Sequence, residues 1–341
     1  MKNPEKILIV KPSSLGDIVH SLPFLNAIRK RYTEAEIHWV IFKGFEGLLE
    51  GHTMIHKLWI VDKDSWTKFN RAKDTVAEIK SLLRDFKKER FDLVVDLQGL
   101  LRSGLITAAT GAPVRIGLKE AREGSRFFYT NNVPGGRDIH AVDRYLKVAE
   151  FLGCDTSEVI FPLPPFEKAS SFENIISSFI LHPSSFEEYV VIVPGARWMT
   201  KRWPPKNFGK LASLLRLRSI IVGSKDDVNI ANEIVALSQG KSFSLAGKTD
   251  LKELIAVIKG SKFLVTNDSG PMHIAAALGV PVFAIFGPTD PARTGPYGKG
   301  HTIIREPVEC APCFKKTCGD IKCIKDLLAE KVYRIIERNP E

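Results

Sequence analysis

Four stretches of this 341-residue chain combine reactive side chains with the glycines and turns that present them. The first, 11-KPSSLGD-17, follows the apolar run 7-ILIV-10 and sets Ser13, Ser14 and Gly16 ahead of a carboxylate, Asp17. A loop between a strand and a helix start holds anions well, because the helix N-terminus offers free N–H groups and a positive dipole end. A carboxylate there repels phosphate. Asp17 therefore reads either as a cap of the first helical turn or as a general base.

Three further stretches share one logic. In 266-TNDSGPMHIAAALGVP-281 a strand ends at Asn267 and Asp268, and Ser269 stands where it can cap a helix opening with Gly270, Pro271 and His273. Proline costs nothing in a first helical turn, whose N–H groups lack intrahelical partners. The reading is an anion site, with a well-capped structural helix as the alternative. In 194-PGARWMTKRWP-204, Gly195, Lys201, Arg202 and Trp203 offer fixed charge for phosphate and an aromatic face for packing after another strand, and 286-FGPTDP-291 is a third such turn. Together they describe a site for a nucleotide diphosphate. Cys310, Cys313, Cys318 and Cys323 form C-x2-C-x4-C-x4-C, which is either a structural metal site or a set of plain thiols.

Several signatures are missing. The chain has no G-x-G-x-x-G and no H-E-x-x-H, and 247-GKT-249 lacks the glycine that a P-loop needs. A nicotinamide dehydrogenase and a P-loop NTPase both recede. Asp62, Lys63 and Asp64 form a D-x-D tripeptide that reads as the end of a strand.

Short β-rich runs at 36–42, 55–62, 91–99, 188–195, 219–224, 262–268 and 281–287, with a further βα-like pair at 114–133, alternate with helical patterns, the first of them one continuous helix that starts at Asp17 and carries Ile18, Leu22, Leu25 and Ile28. That rhythm predicts an α/β chain with two doubly wound, mostly parallel sheets. The proline-rich 161-FPLPPF-166 marks the boundary between domains 1–165 and 166–341, and residues 172–185 lead into the second. The last helix, near 324–338, belongs to the second domain with the option of packing back on the first. The pattern over 65–90 predicts a long helix with Trp66, Phe69, Leu82 and Phe86 on one side and Lys68, Arg71, Lys80, Arg84 and Lys87 on the other. Its basic face is either simply solvated or meets anionic lipid or an anionic acceptor.

Net charge is +10, with 44% hydrophobic residues. The excess fits an anionic substrate, an anionic membrane face or nucleic acid. No apolar run is long enough to span a bilayer, and the N-terminal run is too short for a signal peptide, so the expected location is the cytoplasm.

The series KPSSLGDIVHSLP, VDLQGLLRSG, PGARWMTKRWP, TNDSGPMHIAAAL and FGPTDP resembles the ADP-heptose:lipopolysaccharide heptosyltransferases, glycosyltransferase family 9, over essentially the full chain. The 20-HSLP-23 continuation and 140-HAVDR-144 look more like heptosyltransferase I than II. The resemblance implies a GT-B fold, two Rossmann-like domains facing each other across a cleft, with an acceptor-binding first domain and a donor-binding second. It implies inverting transfer from ADP-L-glycero-D-manno-heptose to the Kdo-containing lipid A inner core at the cytoplasmic face of the inner membrane, without a required cofactor or nucleic acid. Carried over, Asp17 is the base and Lys201 contacts the donor phosphates. Gly195, Asp268, Ser269, Gly270 and His273 complete the donor site. Ser14, Gly16, Arg122 and Arg144 face the acceptor, with Lys68 and Arg71 in a further acceptor-facing region. The competing readings are a transferase for another nucleotide sugar or acceptor, and a non-catalytic nucleotide- or nucleic-acid-binding protein.

Overall fold

The fold is that of a computed structural model, which describes residues 3–62, 72–165 and 188–339. The chain divides into two compact units, Met1–Pro165 and Phe166–Glu341. Lys63, Asp64, Trp66, Lys68, Phe69, Arg71 and the lead-in at 172–185 lie outside the described residues.

In the first unit β1 (Lys6–Val10), β2 (Glu36–Phe42), β3 (Lys57–Val61), β4 (Leu93–Asp96), β5 (Val114–Leu118) and β6 (Asn131–Val133) form one parallel sheet, in the order β3-β2-β1-β4-β5-β6. β1 and β4 are almost uninterrupted apolar runs because helices cover both faces of such a sheet. The helices are α1 (Leu15–His20), α2 (Leu22–Arg31), α3 (Ala72–Glu89), α4 (Leu101–Ala109) and α5 (Ala141–Phe151). Leu8, Val10, Val40, Phe86, Phe91 and Val94 share one core cluster.

The helical pattern after residue 15 predicts one helix, but two form. Pro23 has no N–H to give the carbonyl of Val19, and the Ser21 hydroxyl instead turns back to the Ile18 carbonyl at 2.7 Å. The break leaves α1 as a short helix carrying Asp17 in its first turn.

The second unit repeats the design. β7 (Tyr189–Val193), β8 (Arg218–Ile221), β9 (Ser242–Ser244), β10 (Leu264–Asn267), β11 (Val282–Ile285) and β12 (His301–Ile304) are parallel in the order β12-β11-β10-β7-β8-β9. Counted from its own first strand, this is the order of the first sheet. The last helix, Ala329–Arg338, buries Val332 and Ile336 with Trp203, Phe208 and Ile285 in its own unit's core. Among the described residues no helix is long and apolar enough to cross a membrane.

Three strands escape the sequence pattern: β6, β9 and β12. Each is short, ends a sheet and carries no fully buried run, so no apolar repeat announces it. Strand order reverses between β1 and β4 and between β7 and β10. In open α/β sheets ligands bind beyond the carboxyl ends of the strands at such points.

Candidate active site

In the second unit, all three motif loops meet at the reversal point. Lys201 ends a 3₁₀ turn (Met199–Lys201) in the loop after β7, and its ammonium lies 2.6 Å from Oδ2 of Asp268, just past β10. The same oxygen accepts the Thr289 hydroxyl at 2.7 Å, so 286-FGPTDP-291 contributes as well. Lys201 also stands 4.6 Å from the centre of the Trp198 ring, with Lys316 on that ring at 5.4 Å. Two cations and a nearly buried carboxylate are thus gathered around one aromatic face.

Asn267 fixes the frame. Its amide donates to the Pro194 carbonyl at 2.7 Å and its oxygen accepts the Trp203 N–H at 3.0 Å, tying the end of β10 to the loop after β7. Ser269 occupies the N-cap position of the helix Gly270–Ala277, but its hydroxyl pairs with Thr266 at 3.1 Å and makes no cap hydrogen bond. The cap expected of Ser269 is therefore not made by its side chain. His273 is buried in the helix. Gly195 has a steric reason, because a Cβ there would stand 2.6 Å from the Asp227 carboxylate.

Trp203 is a core residue: its ring packs edge-on against Phe208 at 4.7 Å and its indole N–H donates to the Leu327 carbonyl. Arg202 turns back to the Ala196 carbonyl at 2.7 Å. A cavity of about 550 Å³, within the usual range for small ligands, opens beside this loop and is lined by Met199, Arg202, Trp203, Lys316 and Ile321. Lys201 and Asp268 do not line it, so the phosphate reading rests on the converging loops.

Lys316 belongs to the cysteine segment, which docks on the same region. The N–H groups of Cys313 and Phe314 both donate to the Pro288 carbonyl, and the Thr200 hydroxyl to the Lys315 carbonyl. Cys310, Cys313, Cys318 and Cys323 are all free thiols, and burial pushes the Cys323 thiol up, with its three neighbours adding to the effect. Among the described residues no three His, Cys, Asp or Glu side chains are placed to hold a metal ion. The metal alternative for the cluster gains no support from this placement; the segment buttresses two of the site loops.

The first unit builds a different site at its own reversal point, where Val10 pairs with Asp96. Asp17 uses one oxygen as a cap, with Oδ2 accepting the Ser14 N–H at 3.1 Å and the Ser14 hydroxyl at 2.7 Å. Its Oδ1 is 4.0 Å from Nζ of Lys11, a lysine almost wholly buried at the end of β1. Burial opposes the charge of Lys11. Asp17, the Tyr145 hydroxyl and Asp96 together outweigh it and hold the ammonium above its usual range. The carbonyl of Lys11 accepts the Trp39 indole N–H, which pins the loop. Gly16 is a buried residue of α1, and His20 meets His140 edge-on at 5.1 Å, joining α1 to the start of α5.

Asp96 is fully buried, so its carboxyl is raised despite hydrogen bonds from Tyr129, Gly99 and Gln98. Arg144 lies beside Tyr145 on α5, and its buried Nε has no hydrogen-bond partner among the described residues. Arg122 is exposed, its backbone N–H bonded to the Gly99 carbonyl beyond β4. Sequence reasoning misses Lys11, Tyr145, Asp96, Trp198 and Thr289 as participants. A lysine closing a buried apolar strand is the one signal that points to any of them.

The family model for glycosyltransferase family 9 (heptosyltransferase) matches residues 79–323. The chain belongs to glycosyltransferase family 9. This glycosyltransferase is 30% identical to lipopolysaccharide heptosyltransferase 1 of Pseudomonas aeruginosa, over 92% of its own length and 87% of the relative's. It is similar to the structure of E. coli heptosyltransferase WaaC with ADP, with a TM-score of 0.79, 26% identity and coverage of 98% of this chain and 100% of that one. E. coli heptosyltransferase II gives a TM-score of 0.75 at 24% identity, covering 98% of each chain. The family 9 chain therefore has the GT-B fold and is closer to heptosyltransferase I than to II.

Proposed function

We propose that this family 9 enzyme transfers a heptosyl group from ADP-L-glycero-D-manno-heptose to a hydroxyl of the Kdo-containing inner core of lipopolysaccharide, with inversion. The observation that carries the donor half is the meeting of Lys201, Asp268 and Thr289 at the reversal point of the second sheet. The donor reading is supported by the solved relatives with ADP and with ADP-2-deoxy-2-fluoro heptose.

Asp17 takes the proton of the acceptor hydroxyl as its oxygen attacks the anomeric carbon. The bond from that carbon to the β-phosphate oxygen breaks, and ADP leaves with the electron pair. Lys201 and the helix start at Ser269 and Gly270 meet the charge growing on the β-phosphate, which needs no further cofactor in this scheme. Lys11 sets a buried positive charge 4.0 Å from Asp17. Ser14, Gly16, Arg122 and Arg144 form the acceptor side, where Arg144 and Arg122 suit an anionic sugar. The acceptor's lipid would bring the protein to the cytoplasmic face of the inner membrane as a peripheral enzyme.

The test is transfer from ADP-heptose to a panel of Kdo-lipid A acceptors, followed by mass, with UDP- and GDP-sugars as competitors. A heptose-sized mass gain from ADP-heptose alone is expected. Gain from another nucleotide sugar, or nucleic-acid binding without any transfer, overturns the reading.

A further inference from the structure

We propose that the first unit docks on an anionic lipid leaflet through Leu101, Leu105 and Phe127, ringed by the cations Arg102, Lys119, Arg122 and Arg126. The proposal rests on the membrane-borne acceptor assigned above and names the surface that would meet the membrane. It differs from the basic helix that sequence patterning singles out.

Phe127 is 77% exposed, the most exposed large hydrophobic side chain among the described residues, and Leu105 and Leu101 are 50% and 43% exposed. The two leucines are four residues apart on α4 and so share one face. Phe127 lies in the 3₁₀ turn Ser125–Phe128, which packs directly against that helix: a Cβ on Gly104 would stand 2.6 Å from the Phe128 ring. The N–H of Leu101 is bonded to Glu123, which leads into the same turn.

The turn does not expose Phe127 through slackness. Ser125 is fully buried, Tyr129 donates its hydroxyl to buried Asp96 at 2.7 Å, and the Phe128 carbonyl accepts from Arg115 at 2.9 Å. Glu123 and Gly124 both take the left-handed conformation, φ 55° and 77°, which reverses the chain before the turn. A rigidly anchored turn therefore holds Phe127 outward while Ser125 and Tyr129 are buried on either side.

Charge decides the occupant. Arg102, Lys119, Arg122 and Arg126 are all exposed, and none forms a salt bridge among the described residues. Arg126 stacks over the Phe127 ring at 5.0 Å, so cation and aromatic present together. Of the nearby acidic residues, Glu120 is engaged by the N–H groups of Gly135 and Gly136, and Glu123 by that of Leu101. Apolar side chains among unpaired arginines and lysine fit an interface of acyl chains under anionic headgroups.

The full-length protein should co-sediment with vesicles containing phosphatidylglycerol and bind pure phosphatidylcholine vesicles far less, with binding falling as salt rises. Phe127→Ser, and separately Leu101→Gln with Leu105→Gln, should each weaken partition by about ten-fold while the thermal midpoint stays unchanged. Transfer to a soluble, deacylated acceptor should be unaffected in Phe127→Ser, and transfer to an acceptor in vesicles should fall. Equal vesicle binding by wild type and variants overturns the proposal, as does a wild-type dimer that Phe127→Ser dissociates. If wild type binds vesicles as described but transfers no heptose, the docking surface stands and the enzymatic reading falls.

Discussion

The ammonium of Lys11 lies 4.0 Å from Asp17, and the lysine is 2% exposed while the Asp17 side chain is 41% exposed. The carboxylate thus faces solvent on one side and a fixed, water-excluded positive charge on the other. Lys11→Met removes that charge and keeps the volume. We expect kcat to fall by about ten- to a hundred-fold, part of what a positioned base supplies. Wild-type kcat in Lys11→Met would separate the lysine from the chemistry.

In the proposed reaction Asp17 is both cap and base, and substitution can part the two roles. Asp17→Asn keeps an oxygen for the Ser14 N–H and loses the base. Transfer should vanish while ADP affinity and the thermal midpoint hold. Asp17→Ala loses the cap as well and should cost about 0.5–2 kcal/mol of stability. Calorimetric ADP binding with a mass-based transfer assay checks both; turnover by Asp17→Asn would remove the residue from the base role.

Lys201→Ala should lower kcat by about 10²–10³-fold, the usual effect of deleting one preorganised donor at a developing charge. ADP affinity should drop alongside. Thr289→Val removes only a hydroxyl from Asp268 and should have the smaller effect on both measurements, so the order of the two variants tests the geometry.

Gly195→Ala should destabilise by about 1–3 kcal/mol, since its Cβ would meet the Asp227 carboxylate at 2.6 Å. That carboxylate accepts both the N–H and the hydroxyl of Ser224, so it cannot simply swing away. A thermal midpoint equal to wild type would contradict the packing described.

Acid should destabilise the fold in two steps. Burial holds His38, His52 and His301 below the ordinary 6.5. Each lowered histidine binds fewer protons folded than unfolded, so stability is full above 6.5 and is lost as pH falls below it. His38 and His52 show why: their Nδ1 atoms accept N–H groups from Trp59 and Met54, and a proton there breaks the bond. Glu89, held low mainly by Lys57, adds a second loss below about 4.5. Thermal midpoints across pH should fall accordingly, and His52→Gln should flatten the upper step.

The parts of this fold that were legible from sequence are those where one residue type fixes the outcome. Apolar runs announced β1, β4, β7 and β10, and glycines with adjacent polar residues announced the loops after them. What stayed hidden depends on pairs distant in the chain. Thr289 joins Asp268 from 21 residues away, and Tyr145 on α5 reaches Lys11 at the end of β1. Trp203 and Trp198 stand five residues apart in one basic loop, and only packing decides that the first is core and the second faces the lysines. The break before α2 was written in Pro23, though helical spacing on either side masked it.

The Lys201–Asp268 contact also bears on the charge the proposed donor must carry. The ammonium lies 2.6 Å from a carboxylate that Thr289 anchors, so part of its charge is already balanced inside the protein. On the proposed reading a diphosphate shares Lys201 with Asp268, and its several acceptors and greater charge suit it to that sharing better than a single small anion.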